Sequence, residues 1–179
     1  MKKILLLFAH PKLEKSIVNK ALLGATKGLA HVEVRDLYEL YPDFMIDVEA
    51  EQAAVRRSDV LLLQFPFFWY SCPALLKEWL DVVLANGFAF GKGGDAVKGK
   101  PLINVVSTGS RESSYSGDSP YSAPALLSPF AQTAWYCDMN YAEPFIVYGA
   151  NDIRHGQRER LTDEVSRYRQ FLVDLGNGL

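Results

Sequence analysis

The sequence predicts an open, doubly wound α/β sandwich: one parallel sheet of five strands in the order 2-1-3-4-5, with helices on both faces. Three observations carry this. Short, mostly apolar runs such as Lys3 to Phe8 (KILLLF) and Asp59 to Phe65 (DVLLLQF) read as strands buried on both faces. They alternate with segments of helical periodicity, five of each. No repeat, low-complexity stretch or linker interrupts the 179 residues, so residues 1–179 are expected to form a single domain.

The elements follow in order. After the first strand, Ser16 is placed to cap a helix in which Ile17, Ala21, Leu22, Ala25 and Leu29 share one face. Val32 to Arg35 is a short second strand. Asp47 to Arg57 reads as a helix, acidic at its start and basic at its end, which suits the macrodipole. Asp59 to Phe65 is the third strand, and Pro73 opens a helix lined by Leu75, Leu76, Trp79, Leu80 and Val83. Gly91, Gly93, Gly94 and Gly99 mark a loop before a fourth strand, Pro101 to Val106. Ser107 to Pro120 lacks periodicity and is expected to be a long, functional loop. Leu126 to Tyr136 reads as a helix, Pro144 to Tyr148 as the fifth strand, and Leu161, Val165, Tyr168, Phe171 and Leu175 as a final helix closed by Gly176.

Composition removes several function classes. Nineteen Lys and Arg against 21 Asp and Glu give a net charge of −2 without a basic cluster, so nucleic acid is not an expected partner. The apolar run near the start is too short to span a bilayer, and charged residues follow it where a secretory signal would be cleaved. The chain is therefore expected in the cytoplasm. Cys72 and Cys137 make no disulfide framework, and His10, His31 and His155 show no ligand spacing, so no metal is expected. A hydrolase reading finds no GxSxG elbow.

In such a sheet, ligands bind beyond the carboxyl ends of the strands, where strand order reverses. Three segments there are unusual. The first, Ala9 to Ser16, lacks the glycines of a dinucleotide turn or a P-loop. Ser16 and the amides of Ile17, Val18 and Asn19 could receive a phosphate at the helix start, with His10 as a further donor, or Ser16 could be an N-cap alone. The second, Gln64 to Pro73, sets Phe67, Phe68, Trp69 and Tyr70 in a row where the chain turns. That suits a planar aromatic ligand, although Phe67 or Phe68 could equally pack beneath a helix. The third, Ser107-Thr108-Gly109-Ser110 leading to Tyr115, lets a ring approach the backbone, or is a solvated turn.

Taken in order, LLLFAHP, FPFFWYSCPALLKEWLDVVL, GFAFG and STG resemble the flavodoxin-like NAD(P)H:quinone oxidoreductases of the DT-diaphorase type, over nearly the whole chain. The segment LYELYPDF (Leu37 to Phe44) is similar to one branch, the ancillary reductase subunits of glutathione-gated potassium efflux (Kef) systems. The resemblance implies a flavodoxin-like three-layer sandwich. It implies FMN rather than FAD, NAD(P)H as hydride donor and a quinone-like acceptor. It also implies a homodimer with Trp69 to Phe90 close to its interface. It places the flavin phosphate at His10, Ser16, Ile17, Val18 and Asn19, the ring and ribityl chain at Phe67, Phe68, Trp69 and Tyr70, and the ring edge at Ser107, Thr108, Gly109 and Ser110. Tyr115 falls near the hydride-transfer position. The stretch Ser113 to Tyr121 has no histidine where these reductases usually carry one, leaving that role to Arg111 or to backbone amides. The Kef branch also implies a second reading, a regulatory flavin- or nucleotide-binding subunit docked through a membrane efflux protein on the cytoplasmic face of the inner membrane.

Overall fold

Apolar side chains fill both faces of the central strands, and this sets the layer order. In the computed structural model, which describes residues 1–178, the chain runs through β1 (Ile4–Phe8), α1 (Ile17–Gly24), β2 (Val32–Asp36), α2 (Leu37–Leu40), α3 (Val48–Arg57) and β3 (Val60–Pro66). It continues through α4 (Ala74–Val83), β4 (Pro101–Ser107), α5 (Ala123–Leu126), α6 (Ser128–Tyr136), β5 (Asn140–Tyr141), β6 (Phe145–Val147), α7 (Ala150–Arg154) and α8 (Arg158–Asn177).

The sheet is parallel throughout, in the order β2-β1-β3-β4-β5, with β6 also paired to β4. The expected order holds, with one addition: the fifth position is shared by two short strands. Asn140 pairs with Pro101 and Phe145 with Val105, and the chain between them leaves the ladder. Pro144, which has no N–H to donate, sits in that gap.

Alternation divides the core in two. Leu5, Leu7, Leu61, Leu63 and Val106 face α3, α4 and α6, packing with Val55, Trp79 and Phe130. Ile4, Leu6, Phe8, Leu62 and Val105 face α1, α7 and α8, packing with Leu22, Ile153 and Tyr168. On the first face, the fully buried Glu51 carboxylate accepts from Arg35 Nε (2.7 Å), Tyr41 Oη (2.6 Å) and Trp79 Nε1 (2.8 Å). Its charge and lone pairs are thereby met, as a buried carboxylate requires.

Helix boundaries follow the expected capping. The Ser16 side chain accepts from Asn19 N as expected, whereas Asp47, read as the first helical residue, is the N-cap of α3 and accepts from Ala50 N. Two departures have physical causes. The final helix passes through Gly176, which is glycine for space because a side chain would clash with His31 and Met1, and is capped by Gly178 in the left-handed region (φ +101°). The long loop after β4 contains a 3-10 turn, Glu112–Tyr115. No helix of the described residues is long and apolar enough to cross a membrane.

Candidate functional site

Three strand ends and one helix start meet in a cleft of about 570 Å³, within the ~300–1,000 Å³ typical of small-molecule sites. Among the expected residues, His10, Ser16, Ile17, Val18, Asn19, Phe67, Phe68, Trp69, Ser107 and Gly109 line it. Tyr70, Thr108, Ser110 and Tyr115 are not among its lining residues.

The floor is the start of α1. Ser16 leaves the helix conformation (φ −98°, ψ 111°), and its Oγ accepts from Asn19 N at 3.2 Å. The first-turn N–H groups of Ile17 and Val18 have no carbonyl one turn earlier to receive them, and the helix dipole points the same way. Asn19, 2% exposed, donates from Nδ2 to Ser107 Oγ (2.7 Å) and Ser16 Oγ (3.2 Å). Its Oδ1 has no hydrogen-bond partner among the described residues. A buried acceptor without a donor costs free energy until a donor arrives.

His10 ends β1's run into the cleft. Its Nδ1 accepts from Lys12 N at 3.1 Å, so the ring's single proton belongs on Nε2 and the neutral ring is a donor there. Burial pushes its pKa below the ordinary value, against the opposing pull of Glu14.

The aromatic wall is held in an unusual turn. Ser71 N donates to Phe68 O at 3.0 Å, and between them Trp69 (φ +47°) and Tyr70 (φ +63°) both take left-handed conformations. Two successive positive φ values make the pattern of a type I′ turn, which ordinarily takes Asn-Gly. Bulky residues in that region cost roughly 1–3 kcal/mol each and persist where the surroundings impose them. The turn leaves Trp69 91% exposed at the cleft edge. Tyr70 and Tyr115 pack edge-on and tilted against Phe67, at 6.3 and 6.2 Å between ring centroids.

The fourth side is the end of β4. Phe67 N donates to Ser107 O (2.9 Å), tying the two loops. Thr108 is fully buried, with Oγ1 donating to Ser110 O (2.7 Å), so it shapes the loop and offers no hydroxyl to the cleft. Gly149 N bonds to Ser110 O and Ala150 N to Thr108 O, joining this loop to α7. A side chain on Gly109 would meet Asn151 Nδ2 at 3.0 Å. Burial raises the Tyr115 pKa, the Thr108 hydroxyl opposing it, so the phenol is protonated at neutral pH.

Sequence reasoning missed the cationic rim. Lys12, Lys15 and Arg154 line the cleft beside the α1 start, together with Asn151 and Ala150. Lys12 and Lys15 lie in a segment already singled out, whereas nothing in the exposed, polar α7 marked Asn151 or Arg154. Burial raises the Cys72 pKa, which makes it a poorer nucleophile. Among the described residues no three His, Cys, Asp or Glu side chains converge as a metal site would need.

The fold recurs in known proteins. A family model described as a flavodoxin-like fold matches residues 2–172. A glutathione-regulated potassium-efflux system ancillary protein of Pectobacterium carotovorum is 46% identical over 173 residues, covering 96% of this chain and 93% of its own. The general stress protein 14 of Treponema denticola, solved in complex with FMN, is 36% identical with a TM-score of 0.90, covering 97% of this chain and 99% of that one. An NADPH-quinone reductase from P. pentosaceus is 29% identical with a TM-score of 0.84, over 94% and 96% of the two chains.

Proposed function

This chain belongs to the flavodoxin-like family, and we propose that within it the protein is an FMN-dependent NAD(P)H oxidoreductase serving quinone-like acceptors, ancillary to a potassium-efflux system. The observation that carries the reading is the fit between cleft and ligand. A helix start with three cations suits a phosphate, and Asn19 Oδ1, a buried acceptor without a donor on a residue that lines the cleft, suits a polyol hydroxyl. Aromatic side chains line the same cleft and suit a flat ring. FMN contains all three groups in that order.

Bound FMN supplies the capacity to take and give a hydride. The chain's part is binding, orientation and proton placement. The amides of Ile17 and Val18 with Ser16, Lys12, Lys15 and Arg154 hold the phosphate. The Nε2–H of His10 donates to the same phosphate, whereas Asn19, expected there too, bonds the polar chain, because its Oδ1 needs a donor that a phosphate dianion lacks. Phe67, Phe68 and Trp69 flank the ring, and Ser107 and Gly109 meet its edge, with Thr108 and Ser110 shaping that loop from behind. Tyr70 and Tyr115 complete the wall on which donor and acceptor rings rest, and the protonated Tyr115 phenol donates toward the reacting face. The full-length similarity to an FMN-containing structure supports FMN over FAD.

Purified protein should bind FMN and reduce a quinone with NADH or NADPH. Absence of flavin binding, or bound flavin without NAD(P)H-dependent quinone reduction, contradicts the reading. A second reading has its own support in the 46% identical ancillary protein: a homodimeric regulatory subunit on the cytoplasmic face of a membrane efflux protein, with turnover secondary. A variant that keeps flavin but not turnover separates the two, since retained control of potassium efflux favours regulation.

A further inference from the structure

The same pole carries a second cavity, of about 590 Å³, on the other side of α7. The helix is the partition: Asn151 and Arg154 line the cleft, whereas Asp152 lines the second cavity. Aromatic rings connect the two spaces. Tyr148, a wall of the second cavity, lies 5.9 Å from Tyr115, which lies 6.2 Å from Phe67 in the cleft.

Three guanidinium groups face this cavity, and they differ in what holds them. Arg111 is bonded to Asp152 through Nε (2.6 Å) and a terminal nitrogen (3.2 Å). Arg167 holds Glu164 and lies 3.8 Å above the Phe145 ring. Arg160 has no carboxylate partner among the described residues. One of its terminal nitrogens donates to Tyr148 O (2.5 Å) and the other to Gln157 Oε1 (3.3 Å). Glu112 completes the lining, so three arginines and three acids cancel in formal charge. An anion here would be held by directed N–H groups of a planar fork, not by a net positive field.

We propose that this cavity is the subsite for a phosphate of the nicotinamide nucleotide donor, with Arg160, whose bonds among the described residues go to the neutral oxygens of Tyr148 and Gln157, as the fork that exchanges them for the anion; the proposal rests on the reductase reading above. A nicotinamide ring against Tyr115 sends its ribose and phosphates outward past Tyr148. The cations on the near side of α7, Lys12, Lys15 and Arg154, are already engaged by the cofactor phosphate in that reading. The donor therefore needs its own anion contacts, and those across the partition are the arginines.

The test is steady-state kinetics of the FMN-loaded protein with NADPH, NADH and the phosphate-free donor 1-benzyl-1,4-dihydronicotinamide. Arg160→Gln should raise the KM for NADPH about tenfold, as expected for losing a charged hydrogen bond, and that for the phosphate-free donor by less than about twofold. Arg160→Lys, which keeps charge but not the fork, should recover part of the loss. Glu112→Gln removes a rim carboxylate that repels the anion and should lower the KM for NADPH. Damage to the fold does not produce that change, so this variant carries the test alone if Arg160→Gln fails to fold. A rise for NADPH only assigns the 2′-phosphate, and a rise for both dinucleotides assigns the pyrophosphate; either supports the subsite. If no variant changes the KM for either dinucleotide, or if all three donors shift equally, the subsite is overturned while the reductase reading stands. If the wild-type protein turns over none of the three donors, both fall.

Discussion

The two ends of the sheet are built on opposite terms. At the end where strands begin, distant cations close exposed helix carbonyls. Lys100 Nζ donates to Val55 O and Ser58 O (2.6 Å each) at the end of α3, and an Arg169 nitrogen donates to Ala25 O (2.6 Å) and Lys27 O (3.0 Å) after α1. Lys3 N is likewise met by Asp59 Oδ2 (2.7 Å). At the end where strands finish, a buried acceptor lacks its donor, two aromatic residues sit at positive φ, and Trp69 faces solvent. One end spends its polar groups on the fold, and the other holds them for a ligand. Asn104 Oδ1, within β4, is also without a donor, but it does not line the cleft, and the contrast between the two ends agrees with where the cleft lies.

Substitutions at the two ends should separate stability from binding. The largest effect is expected from Lys100→Met, which strips two charge-assisted bonds from the α3 terminus. It should lower unfolding free energy by about 2–3 kcal/mol in urea titration, with FMN affinity unchanged. Asn19→Ala should do the reverse. FMN affinity falls about tenfold to thirtyfold, measured by flavin fluorescence, while thermal stability changes little because the variant also removes an unmet acceptor. A third substitution reverses the usual sign: Tyr70→Gly relieves a positive φ and should stabilise the protein by about 1 kcal/mol while weakening quinone reduction.

The smallest effect is the pH dependence at His10. Its folded pKa lies below the ordinary 6.5, so the unfolded chain takes up a proton at higher pH than the folded one does. This contribution to stability is complete above pH 6.5. It is lost as pH falls from there through the depressed folded value. His10→Gln should flatten that part of the stability–pH profile; an unchanged slope places the coupling elsewhere.

How much of this is legible in the sequence depends on how local the cause is. Buried strands and the helix cap at Ser16 follow from nearest neighbours and are read directly, as is the parallel sheet from the alternation of elements. The split of the last strand depends on how Ala142 to Pro144 meets β4, which no periodicity reports. Gly176 reads as a helix stop, and only its packing against His31 and Met1 shows that it is glycine for space, with the cap left to Gly178. In the cleft, the segments after the first, third and fourth strands are visible because their residue types are unusual there. The left-handed turn at Trp69-Tyr70 is not, because neither residue is one that such a turn normally takes. Arg154 joins the cleft from the last third of the chain through topology alone.

The most direct test is an FMN titration of the wild-type protein beside Asn19→Ala, followed by flavin fluorescence. The account predicts stoichiometric quenching in the wild type, as the ring settles among Phe67, Phe68 and Trp69, and a curve displaced at least about tenfold in the variant. Superimposable curves, or no quenching in the wild type, would contradict it.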